Sequence, residues 1–391
     1  MRRTAVGLAA AATLMTSACV QSSSGKAEED DTLIGTGTGA NCTIDEVVKI
    51  GAVLSLDGGA AFAGSYQQQG LELAIDELNQ KSGITYELIL EDDKTDLQTS
   101  ISATEKLLER DEVHAMIGPT LSNMAFSTYE DAQDAGVPTV GISTTAAGIP
   151  EIGEYIFRVS LPEEVALASS IPAAEASLEF ETAAVMHDNE DEFTTSAFES
   201  MHQELQDLGT EIVANETFPT SETEFRAQLT KIDESGADVL VLSALPGATI
   251  PLVKQAREMG IDIPIVGGNA FNSPVMIGNL EDASENLVVG GAWSAEADTE
   301  GNIAFTESFQ DAYDRPADQF AAQAYTAAYT IDEAIRASCN ANRDSIRTEL
   351  GRLSDFETVL GPITLSPDGE ITQDPYIQIV KDGEFTLLNA E

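Results

Sequence analysis

Two stretches concentrate side chains able to hold a small polar molecule. They are IGPTLSNMAF (117–126) and, a little further on, GVPTVGISTTAAGIP (136–150). Each reads as a short apolar strand that empties into Gly, Pro, Ser and Thr, and the first leads directly into a helical stretch. In an open α/β sheet, ligands settle in the crevice outside the carboxyl ends of the strands. Two such ends rich in hydroxyls and backbone N–H groups make a polar, uncharged pocket, suited to a small ligand and particularly to a carboxylate. No nucleophile–base pair accompanies them. The three histidines (His114, His187, His202) show no H-E-x-x-H spacing, and no serine sits in a G-x-S-x-G elbow. His187-Asp188 ends a strand, where a histidine is more often structural than catalytic. Among 67 acids no carboxylate pair stands out for glycoside chemistry. A hydrolase is therefore a remote reading, and neither metal nor cofactor is expected.

The elements that must position these loops alternate regularly. VVKIGAVLSL (47–56) is a strand, DGGAAFAG (57–64) a glycine-rich loop, and GLELAIDELNQKSG a helix whose Leu71, Ala74, Ile75 and Leu78 share one face. TYELILEDD, a helix over 98–110, the strand VHAMIG (113–118), a helix over 125–135 and VPTVGIS follow. The pattern then restarts: FETAAVMHD (180–188), a helix over 194–208, EIVANETF, a helix over 225–234, ADVLVLSA (237–244), a helix over 251–259, IPIVGGNA and VVGGAWS (288–294). A long helix over 318–338 precedes short strands around the turns Asp368-Gly369 and Asp382-Gly383. Repeated βα units imply mostly parallel sheets covered on both faces. The fold class is α/β, with two doubly wound α/β/α lobes joined by a hinge.

The ends and the charge restrict location and partners. Arg2 and Arg3, an apolar run over 5–15, and Ser17-Ala18 before Cys19 form an export signal over 1–18. The site resembles the lipobox of bacterial lipoproteins, with Thr16 in place of the usual leucine, so Cys19 is the expected lipidation site; an ordinary cleaved signal is the alternative. Residues 19–44 read as a flexible tether, whose GTGTG run neither follows a strand nor opens a helix. No other stretch approaches the ~18 apolar residues of a membrane span. The net charge of −48 is spread along the body. That reads as a solvated, halophile-like surface and argues against nucleic acid, which needs clustered Lys and Arg. In an exported chain the remaining pair, Cys42 and Cys339, invites a disulfide.

In order and spacing these parts resemble the type I periplasmic binding proteins. More specifically, they are similar to the solute-binding subunits of branched-chain-amino-acid ABC transporters, the Leu/Ile/Val-binding family. The resemblance spans about 46–388 and rests on KIGAVLSLDGG, the helix over 70–79, LEDDKTDLQTS, AMIGPTLS, DAGVPTVGIS, VKQAREMGI and VLGPITLSPDGE. It implies lobe I over 45–158 and 292–361 and lobe II over 159–291 and 362–391. It also implies a ligand clasped by lobe closure, delivery to permease subunits, attachment to the membrane through Cys19, and a monomer.

The family's carboxylate-binding serine follows the strand-three glycine by four residues; here Gly118 leads to Ser122, with Asn123 beside it. A helix N-cap is the structural alternative for Ser122. The next loop offers Thr144 or Thr145, since Ala147 falls where amino-acid binders carry threonine. Aromatic walls correspond to Phe62 and Phe193, although either could be a core residue. Where family members hold an ammonium with an acid, this chain has Asn269; Asp57 is the substitute acid or simply a surface charge. The carboxylate end is thus kept and the ammonium end weakened, leaving amides and aliphatic or aromatic acids open beside amino acids. A ligand-sensing receptor module on the same fold is the second reading; the lack of a signalling segment favours transport.

Overall fold

The structure, a computed structural model, describes Met1 and residues 31–388. Residues 2–18 of the expected signal segment and Cys19 lie outside the described residues. The chain's first passage through the first lobe forms β1 (Val47–Leu54), α1 (Ala61–Gln80), β2 (Thr85–Asp92), α2 (Leu97–Glu109), β3 (Ala115–Ile117), α3 (Ser122–Asp134), β4 (Thr139–Gly141) and β5 (Ile156–Arg158). Their strands form a parallel sheet in the order β2-β1-β3-β4-β5.

The chain then enters the second lobe through α4 (Glu163–Leu178), β6 (Thr182–Asp188), α5 (Glu192–Leu208), β7 (Glu211–Phe218) and α6 (Arg226–Ser235). It continues with β8 (Val239–Ser243), α7 (Pro246–Glu258), β9 (Ile265–Gly267), α8 (Pro274–Leu280) and β10 (Leu287–Gly291). Returning to the first lobe, it forms α9 (Glu300–Tyr313), α10 (Gln319–Ser338), α11 (Arg343–Leu350) and a small antiparallel sheet of β11 (Phe356–Thr358), β12 (Gly361–Leu365) and β13 (Ile371–Thr372). Finally β14 (Tyr376–Lys381) and β15 (Glu384–Leu387) complete a second sheet ordered β15-β14-β10-β9-β8-β6-β7, antiparallel only at β14 and β15.

Helices on both faces explain why β8 is buried at every position and reads as an unbroken apolar run. In each sheet the strand order reverses beside the first strand: β1 lies between β2 and β3, and β6 between β7 and β8. Crevices therefore form at the carboxyl ends of β1 and β3 and of β6 and β8. Helix α10 lies along α1 so closely that a Cβ at Gly70 would fall 2.3 Å from the Ala321 carbonyl oxygen. That contact requires glycine and sets the position of the start of α10.

Two sequence expectations are corrected here. The tether does not reach residue 44: Leu33, Cys42 and Ile44 are buried in the first-lobe core, and Gly35 N donates to Cys339 O at 2.9 Å. Cys42 and Cys339 are joined as a disulfide with Cα atoms 5.4 Å apart, which fixes this segment to the end of α10. The crossing into lobe II also comes later than 361/362. Ile363, Leu365 and Ile371 pack into the first-lobe core, Arg158 N donates to Gly369 O, and the chain joins the second sheet only at β14. Alternation identifies such short strands but does not select their partners.

Candidate functional site

A cavity of about 390 Å³ opens at the two crevices, walled by the loops after β1, β3 and β4, by the loops after β6, β8 and β9, and by the start of α10. Of the residues singled out from sequence, Ser122, Asn123, Thr145, Phe62, Phe193 and Asn269 all line it. Asp57 and Thr144 do not. Asp57 is exposed, and its carboxylate accepts from the Gly58 N–H. Thr144 is buried beneath the loop, its carbonyl accepting from Arg158 Nη1 and Ser160 Oγ.

The first-lobe wall is neutral and tightly positioned. Ser122 is the first residue of α3; Leu121 occupies the cap position and supplies no side-chain bond. The opening N–H groups of any helix lack partners within it, so this end offers donors toward the cavity. Ser122 is buried and its Oγ accepts from Ala146 N at 3.3 Å, which joins the β3 and β4 loops; the hydroxyl therefore does not act as the N-cap. Beneath them the buried Gln67 accepts from Thr120 Oγ1 and donates to Ser143 Oγ, both at 2.7 Å. Arg158, buried below the same loop, donates to the carbonyls of Thr144 and Ala146 and forms a two-pronged ion pair with Glu370 of the small sheet's hairpin. The loop's shape thus depends on a residue 212 positions away in sequence.

The second-lobe wall is acidic. Asp188 ends β6 and is buried, its Oδ1 accepting from Glu190 N at 2.9 Å. Asp191 caps α5 through Thr194 N, and burial pushes its pKa up to about 6. Phe193 and the start of α7 (Leu245–Ala248) complete this side. Asn269 is not open to a ligand through its amide nitrogen: Nδ2 donates to Leu161 O at 3.0 Å and to Glu163 Oε2 at 2.8 Å. Glu163 lies wholly buried behind it, and burial raises its pKa to about 7 against the lowering effect of the Asn269 bonds. The acid missing from position 269 thus stands behind the asparagine.

Sequence reasoning missed Asp188, Glu190 and Asp191 as cavity residues, and Gln319 and Gln323 of α10 altogether. The first three carried a signal: Asp191-x-x-Thr194 marks a helix start after a strand, the position that faces the crevice in this topology. No first-order signal separated the α10 glutamines from other helical polar residues.

Two α/β lobes meeting at a cavity of neutral donors on one side and acids on the other define a hinged small-molecule binding protein. The family model described as periplasmic binding protein matches residues 47–384, and the chain belongs to that family. The leucine-, isoleucine-, valine-, threonine- and alanine-binding protein of Pseudomonas aeruginosa is 23% identical over 331 residues, covering 83% of this chain and 87% of the relative. Among solved structures, the branched-chain amino acid transporter substrate-binding protein LivJ of Streptococcus pneumoniae, in complex with isoleucine, aligns with TM-score 0.81 at 26% identity over 87% of this chain and 98% of its own. A solute-binding protein of Rhodopseudomonas palustris in complex with benzoate aligns with TM-score 0.79 at 21% identity, covering 88% and 96%. The last of these supports the fold alone.

Proposed function

We propose that the chain is the solute-binding subunit of a branched-chain-amino-acid-type ABC importer. It captures an amino acid, or a related small carboxylate or amide, by lobe closure and delivers it to the permease from outside the cytoplasm, where a lipid on Cys19 holds it. The observation that most supports this reading is the opposed polarity of the cavity walls. Ser122, Asn123 and Thr145 present neutral donors from one lobe, and Asp188, Glu190 and Asp191 present acids from the other. An α-carboxylate and an ammonium are matched by that arrangement. This also shifts the countercharge from Asp57 to the β6–α5 loop.

Relatives named for leucine, isoleucine and valine support the amino-acid reading, and the benzoate-bound neighbour keeps aromatic carboxylates within the test. The working unit is a monomer, and the diffuse acidity suits saline surroundings. The test is a thermal-shift screen of the soluble body against amino acids, amides and small aliphatic and aromatic acids. A true ligand at 100 times its Kd stabilises by about 2.7 kcal/mol. Failure of every compound to raise the midpoint would sink the reading.

A further inference from the structure

We propose that Gln323 reads the far end of the ligand, so that the cleft selects a carboxylate-bearing molecule whose other end is a neutral donor–acceptor group, above all a carboxamide. The proposal rests on the reading of the cleft as an amino-acid-type site and specifies which side chain that site prefers.

Three buried glutamines border or underlie the cavity, and two of them are fully used by the fold. Gln67 spends its oxygen on Thr120 and its nitrogen on Ser143. Gln319 accepts from Ala292 N at 2.6 Å and Asn272 Nδ2 at 2.9 Å, and donates to Asn269 O and Oδ1. Gln323, one turn further along α10, is 0% exposed and lines the cavity, yet neither its Nε2 nor its Oε1 has a hydrogen-bond partner among the described residues. A buried amide left unpaired is costly, whereas an apolar residue of the same size would pack there at no such cost.

The surroundings define the group that would pair with it. Ala63, Phe62 and Phe320 also line this cavity, and the two rings meet edge to face with centroids 5.6 Å apart. Gln323 brings no countercharge, so a second carboxylate or ammonium placed against it would be poorly compensated. It offers one kind of donor and one acceptor. A carboxamide satisfies both at once, and an aliphatic side chain satisfies neither. Asn123 Oδ1, also buried and without a partner among the described residues, adds a second acceptor to the same cavity.

The test is calorimetric titration of two near-isosteric pairs, L-asparagine against L-leucine and L-glutamine against L-methionine. In the wild-type protein the amide member of at least one pair binds tighter by about tenfold or more. Gln323→Met, which keeps length and removes both hydrogen-bonding atoms, abolishes that preference and improves binding of the apolar member. Gln323→Leu is measured alongside, so that the comparison stands if one variant fails to fold. Wild-type protein that binds leucine and methionine as tightly as the amides, or an amide preference that survives in both variants, overturns the proposal while leaving the amino-acid reading intact. No binding by any of the four compounds overturns the proposal, and the wider screen against amides and small acids then decides the transport reading.

Discussion

Glu163 fastens the two sides of the cleft to each other. Its backbone N–H donates to Thr145 O at 3.0 Å, and its carboxylate accepts from both the N–H and the Nδ2 of Asn269. One residue at the start of α4 thus touches a first-lobe loop and a second-lobe loop that line the same cavity. A Cβ at Gly268 would fall 1.9 Å from its Oε1, so glycine there is what allows the acid to sit so close.

This arrangement predicts a pH dependence. Burial raises Glu163 to about 7 from its ordinary value of 4.5, and Asp318 at the start of α10 likewise to about 7. A carboxyl whose folded pKa exceeds its unfolded one binds the proton more tightly in the folded state. Its contribution is complete below about pH 4 and is lost as pH rises through about 7. The unfolding midpoint should fall between pH 5 and pH 8, and Glu163→Gln should flatten that fall and be more stable than wild type at pH 8. A difference between variant and wild type that stays constant with pH would refute the assignment.

Ser122→Ala should weaken ligand binding by about 1–3 kcal/mol, the usual penalty for leaving a buried polar partner unsatisfied. The thermal midpoint without ligand should move little, because the hydroxyl's one bond among the described residues, from Ala146 N, is long at 3.3 Å. Unchanged affinity by calorimetry would remove Ser122 from the site.

Gln67 supports the site without lining it. Gln67→Leu should cost about 1–3 kcal/mol of stability by leaving the Thr120 hydroxyl without its acceptor and Ser143 Oγ without its donor, although each keeps one further bond, and should also weaken binding as the β3 and β4 loops loosen. A double-mutant cycle with Ser143→Ala measures the coupling. A coupling energy near zero would mean that Gln67 does not join the two loops, which the Ser143 hydroxyl on Thr120 O and the Ala146 N–H on Ser122 Oγ would then hold alone.

The Cys42–Cys339 bond spans a sequence separation of 297, for which chain entropy alone gives about 6 kcal/mol as an upper figure. Cys42→Ser should lower the unfolding midpoint markedly while leaving ligand affinity nearly unchanged, since both cysteines lie at the core of the first lobe and not at the cavity. Finding two titratable thiols in denatured, unreduced protein would show that the bond does not form.

Much of the fold was legible because it follows from period and punctuation. Leu71, Ala74, Ile75 and Leu78 fall on one face, and α1 buries all four. By contrast α4 buries Leu167, Ile171 and Ala174 on one side, but alanines and serines lie all around its circumference and Pro172 stands inside it, so no polar face sets that row apart and the helix escaped the sequence reading. Helix α7 was placed from Pro251 onward but begins at Pro246, because Pro251 sits within its first turns.

The chain's own order of residues determined the two parallel α/β lobes, the hydroxyl-rich ends of β3 and β4, and the convergence of Ser122, Asn123 and Thr145, since these depend on local pattern and on which end of a parallel strand faces the crevice. Tertiary structure alone decided the rest. It placed Glu163 behind Asn269, brought Glu370 under the β4 loop through Arg158, turned Thr144 inward, left Asp57 in solvent, and separated an unpaired Gln323 from its satisfied neighbours. Each of these outcomes depends on which partner reaches a buried polar group. That is set by contacts between residues far apart in sequence, which neither spacing nor composition encodes.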